Sequence, residues 1–544
     1  MRLKDIFPVP GFFAFCSLPF CSLPIASLLV AKLFLTIFVR FKKRSMTRRL
    51  QTALLIFPLL SLLLLFCQKE RFTTKGADQL EFSTDTLRFD TVFTQLGSAT
   101  RILKVYNRHA ESIRISRIYL ANGASSRFNL NIDGLPGDNQ RDMEIAPNDS
   151  LYVFAEVIIN PNQPISASPF VLDEELIFET NGNVQTVVLE AFGQNANYLP
   201  SRFGGGGVAG YQCTHGEEIV WDDSLPYVIY GILVIDGCTL RIPAGTHVYV
   251  HGGFGKYDVG TNSVQRYNDG YITFTNGGRL LVEGTPEKPV IFEGDRLESE
   301  FDADAGQWVG LWLQDSTAGH RLEHCIIRNS IIGLRVDPEV DVLLRNVQIY
   351  NTSNSGLIAY RAIIDAENCL FYNNGSFCIQ LEWGGNYDFK YCTAASYGVD
   401  GETLGMTNFL CLDPNCNDYD LKPLKARFRN CIFYGSKADQ ITLSDRSSAD
   451  LSQFYYQLEH CIVRVKELLK PNAYPDFLDH CQPCLNATPQ DTIFLDPNRD
   501  NYRLDSLGSI ANGYALPLLG IVRDLDGKLR DVVKPDAGAF EIEF

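Results

Sequence analysis

Six pieces of this chain align with one another, and that alignment restricts the fold more than any other feature. They are Leu322-Glu-His-Cys-Ile-Ile, Leu344-Arg-Asn-Val-Gln-Ile, Ala366-Glu-Asn-Cys-Leu-Phe, Phe389-Lys-Tyr-Cys-Thr-Ala, Phe428-Arg-Asn-Cys-Ile-Phe and Leu458-Glu-His-Cys-Ile-Val. Each reads apolar, polar, polar, Cys or Val, then mostly apolar. Their first residues step by 22, 22, 23, 39 and 30. A period of this size signals stacked supersecondary units. Asn329, Asn351 and Asn373 follow the first three pieces at constant spacing, and Leu334, Leu357 and Ile379 make a second apolar column. Short alternating runs broken by Asn, Gly and Ser are strands, not helices.

Twenty-two residues are too few for two helices with their turns, but they suit one coil of a parallel β-helix. Coils stack at the strand spacing of roughly 4.8 Å, so an inward residue lies on its equivalent in the next coil. Cys is small and buries readily, which fits a narrow interior. Asn tolerates a left-handed turn and bonds to the Asn above or below it. The longer steps are insertions, which leave a solenoid as loops on one face.

The chain has 544 residues, 45% of them hydrophobic, enough for two to four domains with real cores. Residues 1–67 hold nine Lys/Arg and one acid, a net of +8, so the chain's −16 leaves −24 on the remainder. That balance argues against nucleic acid as a partner, whose phosphates need a basic surface. Of fifteen cysteines, Cys325, Cys369, Cys392, Cys431 and Cys461 belong to the repeat column. Cys411–Cys416 and Cys481–Cys484 are close pairs, open to a local disulfide or a zinc site. Cys481-Gln-Pro-Cys484 lacks the second half of a zinc or redox motif.

The N-terminus carries two apolar stretches. The first, Phe12 to Val39, ends in a basic cluster; the second starts from Met46 as a short basic region, an apolar run over 52–66, and Cys67. That plan is a secretion signal, and it resembles a bacterial lipoprotein signal in which Cys67 is lipidated. The departure is Phe66, where a small residue is usual; the competing reading is a transmembrane anchor. Met46 is then the expected start and residues 1–45 an upstream extension. The implied location is a bacterial outer membrane, lipid-anchored at the cell surface.

Residues 68–78 form a tether. Residues 79–197 then read as short alternating strands, such as Thr86 to Phe93, Arg101 to Tyr106 and Ile113 to Tyr119. They resemble the immunoglobulin-like β-sandwiches that follow lipoprotein anchors, and a spacer role is favoured over ligand binding. Residues 198–212, with Gly204 to Gly207, read as a flexible linker.

Over 213–544 a specific resemblance emerges. The runs Leu240-Arg-Ile-Pro-Ala-Gly-Thr246, Gly277-Gly-Arg-Leu-Leu-Val-Glu-Gly-Thr285 with Pro289-Val-Ile-Phe292, and Trp308-Val-Gly-Leu311 precede the coils. Asp524 to Arg530 and Lys534 to Glu541 close the chain. This order is similar to that of right-handed parallel β-helix surface lipoproteins of bacteria. The expected fold class is all-β: a right-handed parallel β-helix of roughly ten coils with a C-terminal cap, preceded by an immunoglobulin-like sandwich.

The resemblance carries fold, not activity: such proteins include polysaccharide lyases, hydrolases and adhesins. Three acidic loops offer chemistry: Glu298 to Asp304, Glu382 to Asp388, and Asp413 to Asp420. Glu382 and Asp388 are the catalytic candidates, as a carboxylate pair for glycoside hydrolysis or a base for a lyase. Trp383 and Tyr387 are the candidates for stacking on sugar rings. Asp413, Asn415 and Asn417 imitate the start of a calcium loop, but the later Gly and Glu are absent. No cofactor is implied beyond that Ca2+. The competing reading of all three is a solvated acidic loop. His324 and His460 recur with the coil on its outer side, His215, His247 and His251 are scattered, and Trp308 and Trp312 read as packing. No Gly-x-Ser-x-Gly, His-Glu-x-x-His or phosphate loop occurs. No acid pair recurs at catalytic spacing on adjacent coils. The reading is therefore a surface module that binds carbohydrate or matrix, with a polysaccharide lyase or glycoside hydrolase as alternative.

Overall fold

The cysteine column is buried and stacked. In the computed structural model, Cys325, Val347, Cys369, Cys392, Cys431 and Cys461 are all essentially inaccessible. Their following strand residues pair in parallel: Ile326 with Gln348, Gln348 with Leu370, Leu370 with Thr393, Thr393 with Ile432, Ile432 with Ile462. The structure describes residues 71–542 except 94–99, 158–169, 195, 201–207, 215, 259–263, 298–300, 315–318, 449 and 506–507.

Among the described residues, three parallel sheets of nine, nine and eleven strands make nine complete coils of a β-helix. Face A contains Leu334–Val336, Leu357–Tyr360 and Phe377–Glu382. Face B contains Asp341–Arg345, Ile363–Glu367 and Gly385–Lys390, and face C contains Gln348–Tyr350, Leu370–Tyr372 and Thr393–Ser396. One such triplet is one coil, and the coils are numbered 1 to 9 from 209–230 to 441–463. Inward positions alternate with outward ones, as on Asp341–Arg345, where only Val342 and Leu344 are buried. Leu322, Leu344, Ala366, Phe389, Phe428 and Leu458, the first letters of the repeat, line one continuous core.

Left-handed residues turn the corners. His324, Asn346, Asn368, Tyr391, Asn430 and His460 precede the column with φ of 44°, 54°, 52°, 52°, 57° and 50°. Asn329, Asn351 and Asn373 turn the next corner at 62°, 54° and 50°. The Asn residues bond across coils as their chemistry demands: Asn351 Nδ2 donates to Asn329 Oδ1 at 2.8 Å, and Asn368 Nδ2 to Asn346 Oδ1 at 3.2 Å.

The insertions are hairpins and loops. Gly253–Asp258 pairs with Val264–Asp269 between coils 2 and 3, and Phe409–Cys411 with Tyr419–Leu421 within coil 8, the 39-residue step. Both close cysteine pairs are disulfides, Cys411–Cys416 and Cys481–Cys484. A third, Cys213–Cys238, joins coils 1 and 2 and has no cue in the repeat. The expected linker begins and ends in strand: Asn197–Pro200 pairs with Tyr227–Tyr230, and Ala209–Gln212 with Ile232–Asp236. The β-helix therefore starts before residue 213. The Gly204 to Gly207 run lies outside the described residues.

Upstream, two five-stranded sheets enclose a separate core. One is antiparallel and includes Arg101–Tyr106, Ser150–Val157 and Phe128–Ile132; the other includes Thr86–Phe93, Ile113–Leu120, Phe170–Thr180 and Asn183–Gln194. Leu103, Val105 and Val153 from the first meet Ile115, Phe178 and Leu189 from the second. No α-helix occurs among the described residues, and no helix there is long and apolar enough to cross a membrane.

Residues 508–542 form a strap that folds back over the His/Asn corner. Tyr391 Oη and Asn430 Nδ2 donate to the Leu516 carbonyl at 2.7 Å each, His460 Nδ1 lies 3.1 Å from the Tyr514 carbonyl, and Thr393 Oγ1 accepts from Ala539 N at 2.9 Å. Its anchor is Arg530, 5% exposed, considered further below.

Candidate functional site

The stretch Glu382 to Asp388 does not act as one loop. Trp383, Gly384 and Gly385 have φ of 61°, 80° and 115°, and they turn the chain from face A onto face B. Glu382 therefore ends one sheet and Asp388 lies in the next, with no bonding partner in common. Tyr387 points inward at 2% exposure; its hydroxyl donates to the Gly384 carbonyl at 2.8 Å and accepts from Ala362 N. Tyr387 as a sugar-stacking residue is thus corrected: it belongs to the core.

Asp413, Asn415 and Asn417 stand in a turn that the Asp413 carboxylate holds together. The Asp413 carboxylate accepts the backbone amides of Asn415 and Asp418 at 2.8 and 2.5 Å, which hold its pKa down. Among the described residues no three His, Cys, Asp or Glu side chains gather as ligands. Glu298 and His215 lie outside the described residues, as does Cys67.

On the outside of face A, register builds a strip of aromatic and charged side chains on consecutive coils. Trp312 pairs with Arg335, Arg335 with Ile358 and Ile358 with Gln380; in the next outward column Tyr360 pairs with Glu382. Tyr271 lies 6.0 Å from Trp312 between ring centroids. The Arg335 guanidinium sits 4.2 Å from the Trp312 ring and 5.2 Å from that of Tyr360, and Arg361 sits 4.4 Å from the Trp383 ring. Phe377 completes the strip. A side chain at Gly405 would meet its ring at 2.9 Å, so the glycine makes room for it.

Polar groups interleave with the rings. Asp337 accepts from Trp312 Nε1 and Arg335 Nε, both at 2.9 Å. Glu382 accepts from Thr407 Oγ1 and Gln380 Nε2, both at 2.8 Å, and Trp383 Nε1 donates to Asp420 at 3.1 Å. Sequence reading found Glu382 and Trp383 but read Trp308 and Trp312 alike as core or edge packing; Trp308 is 1% exposed in the core, whereas Trp312 is half-buried on the outside of face A.

Face B carries a second constellation, at the position one residue before the aligned Ala366 and Phe389. Asp365 and Asp388 are register partners on adjacent coils, both outward. Lys390 lies 2.5 Å from Asp365 and 3.5 Å from Asp388, and Arg429 lies 2.7 Å from Asp388. The expectation was that no acid pair recurs at catalytic spacing on adjacent coils; Asp365 and Asp388 are an acid pair on adjacent coils that shares Lys390. The sheet brings together residues 23 apart in sequence.

The histidines of coil 2 are not scattered either. His247 Nε2 meets Glu293 at 2.5 Å, and His251 Nδ1 meets Asp295 at 2.7 Å. Glu293 is 2% exposed and also accepts from Arg328 Nε at 2.7 Å. Burial alone raises its pKa, but the His247 bond and the Arg328 charge outweigh it, leaving the carboxyl below its ordinary value. A lowered folded-state pKa gives stability above the ordinary glutamate range that is lost as pH falls through the folded value. Glu293→Gln is expected to cost about 2 kcal/mol at neutral pH. The cost should shrink on acidification, as read from urea midpoints across pH; a pH-independent cost would contradict this.

No family model matches the chain, and no curated protein does. Thirty-two solved chains match it. A family 123 glycoside hydrolase from Clostridium perfringens is 9% identical over 22% of this chain, with a TM-score of 0.15; the chain spans only 26% of that protein. A periplasmic alginate epimerase is 12% identical over 46% of this chain and 78% of its own, TM-score 0.21. The catalytic unit of a GH87 α-1,3-glucanase from Streptomyces thermodiastaticus is 10% identical over 66% of this chain and 72% of its own, TM-score 0.21. Likeness this low carries no argument about what this chain does.

Proposed function

We propose that this protein is a cell-surface lipoprotein whose β-helix binds carbohydrate along the outside of face A. The observation that carries the reading is the strip itself: Tyr271, Trp312, Tyr360, Phe377 and Trp383 beside Asp337, Gln380 and Glu382. Sugars offer apolar C–H faces and a rim of hydroxyls. Aromatic side chains with interleaved hydrogen-bonding groups match both. A solenoid supplies such a surface over many coils. Both oxygens of Glu382 are bonded within the strip, which suits orientation better than proton transfer.

A screen of neutral and acidic polysaccharides tests the reading. Binding without turnover is the expected result, with reducing ends and absorbance of unsaturated products both flat. The second reading, a lyase or glycoside hydrolase, rests on Asp365 and Asp388. They are register partners on adjacent coils, and both carboxylates meet the Lys390 ammonium, at 2.5 and 3.5 Å, so they stand as a pair of the kind glycoside hydrolysis uses. Turnover abolished by Asp388→Asn would establish it in place of simple binding.

The anchor is Cys67 and the start Met46. The immunoglobulin-like sandwich is a spacer between membrane and β-helix. Cys67→Ala is expected to release the protein from membranes or stall its processing. Unchanged membrane retention would instead favour a transmembrane segment.

A further inference from the structure

The charges on the outside of face B are matched as far as coil 7, and the matching stops at coil 8. In the columns of Asp365 and Glu367, Arg345 bridges Glu323 and Glu367, and Lys390 bridges Asp365 and Asp388. Arg429 of coil 8 reaches back to Asp388 at 2.7 Å. Lys425 and Arg427, on the same strand as Arg429, have no ion pair or side-chain hydrogen bond among the described residues. Both side chains stand outward, Lys425 exposed and Arg427 half-buried. Two residues apart on one strand, they share a face and lie roughly 6.6 Å apart at the backbone.

Their neighbours do not neutralise them. In register, Lys425 lies between Asn386 and Tyr455, and Arg427 between Asp388 and Gln457. Asp388 is already held by Lys390 and Arg429. Glu459, which has no ion pair among the described residues, stands in the column of Arg429, on the side away from Lys425. Tyr455 Oη donates to Gln457 Oε1 at 2.8 Å, so the Gln457 amide nitrogen is left to donate outward. In a chain of 64 Asp and Glu against 48 Lys and Arg, two adjacent cations without an acid are an exception, and an anion from outside completes them. We propose that coils 7 to 9 of face B bind an anionic saccharide, with its carboxylate or sulfate ester between Lys425 and Arg427. The Arg427 guanidinium presents a planar fork to either group, and Lys425 adds a point charge. Asn386, Tyr455 and Gln457 meet the ring and hydroxyls beside it. For turnover the site rests on the second reading above, whose substrate class it names; for binding it rests on the cation pair alone.

The test uses the full chain carrying Trp312→Ala and Tyr360→Ala, so that face A does not contribute. Tetragalacturonate, dextran sulfate and uncharged dextran are titrated by calorimetry, the first two separating a carboxylate from a sulfate ester. Saturable binding of at least one anionic chain is expected, with dextran much weaker. Arg427→Gln should weaken it about tenfold or more, as for one lost charge-assisted hydrogen bond. Arg427→Lys, which keeps the charge and loses the fork, should weaken it less, and Lys425→Gln should weaken it as well. Melting temperatures should stay unchanged, because neither side chain bonds within the fold. Reducing ends and unsaturated products are read on the same samples: their absence removes the second reading and leaves the binding site standing. No binding of either anionic chain, equal affinity for dextran, or binding indifferent to Arg427→Gln and Lys425→Gln together would each overturn the site, while leaving face A to be judged by its own screen.

Discussion

Arg530→Ala is expected to destabilise the β-helix by about 3–5 kcal/mol, the cost of breaking a buried ion pair from one side. The guanidinium is buried beside Glu541, which is 6% exposed, at 3.2 Å. It also donates to Asn368, to the Gly538 carbonyl at 3.0 Å and to the Asp536 carbonyl at 3.3 Å, and it stacks on Tyr391 with 3.9 Å to the ring centroid. Alanine leaves Glu541 as a buried charge with no counter-charge beside it, held only by the amides of Asp531 at 2.8 Å and Asp536 at 3.1 Å. Burial already holds the Glu541 carboxyl above its ordinary value. A raised carboxyl pKa favours the folded state at low pH and costs stability as pH rises through the glutamate range. The deficit of Arg530→Ala should therefore be smaller near pH 5 than near pH 8. Denaturant midpoints at the two pH values measure it. A deficit under about 1 kcal/mol, the level of an exposed ion pair, would show that the strap is held by its backbone bonds instead.

The second large effect concerns face A. Replacing Trp312 and Tyr360 together by Ala is expected to lower affinity for the bound glycan at least about tenfold, from aromatic contacts worth roughly 0.5–1.5 kcal/mol each beyond their area. The pair also loses the rings that hold Arg335. Arg335→Gln separates the two causes, because it frees the rings without removing them. Calorimetry against the polysaccharide that the screen identifies reads the result. Unchanged affinity in the double variant would remove face A from the function.

The β-helix was legible because its constraint is local and repeated. An inward position in one coil is inward in the next, so Leu322, Leu344, Ala366, Phe389 and Phe428 announce the core at sight. Even Tyr387 was within reach, since counting back two residues from inward Phe389 places it inside. Its loop-like neighbours Gly384 and Gly385 hid that parity. Trp312 lies outside the six aligned pieces, and only its parallel pairing with Arg335 shows which way it faces. Asp365 and Asp388 were within reach as well, since each stands one residue before an aligned position, Ala366 and Phe389, and shares its register. The strap was the least legible: Arg530 finds Asn368 across 162 residues, and no periodicity spans that interval.

That strap changes how the stack comes apart. Coils that touch only their neighbours can peel singly from an open end. Here one segment is fastened to Asn368, Tyr391, Asn430 and His460, in four successive coils. None of those coils can leave alone without the others losing the same tie, so the C-terminal half behaves as a bound sheaf, and unzipping from that end must begin by lifting the strap.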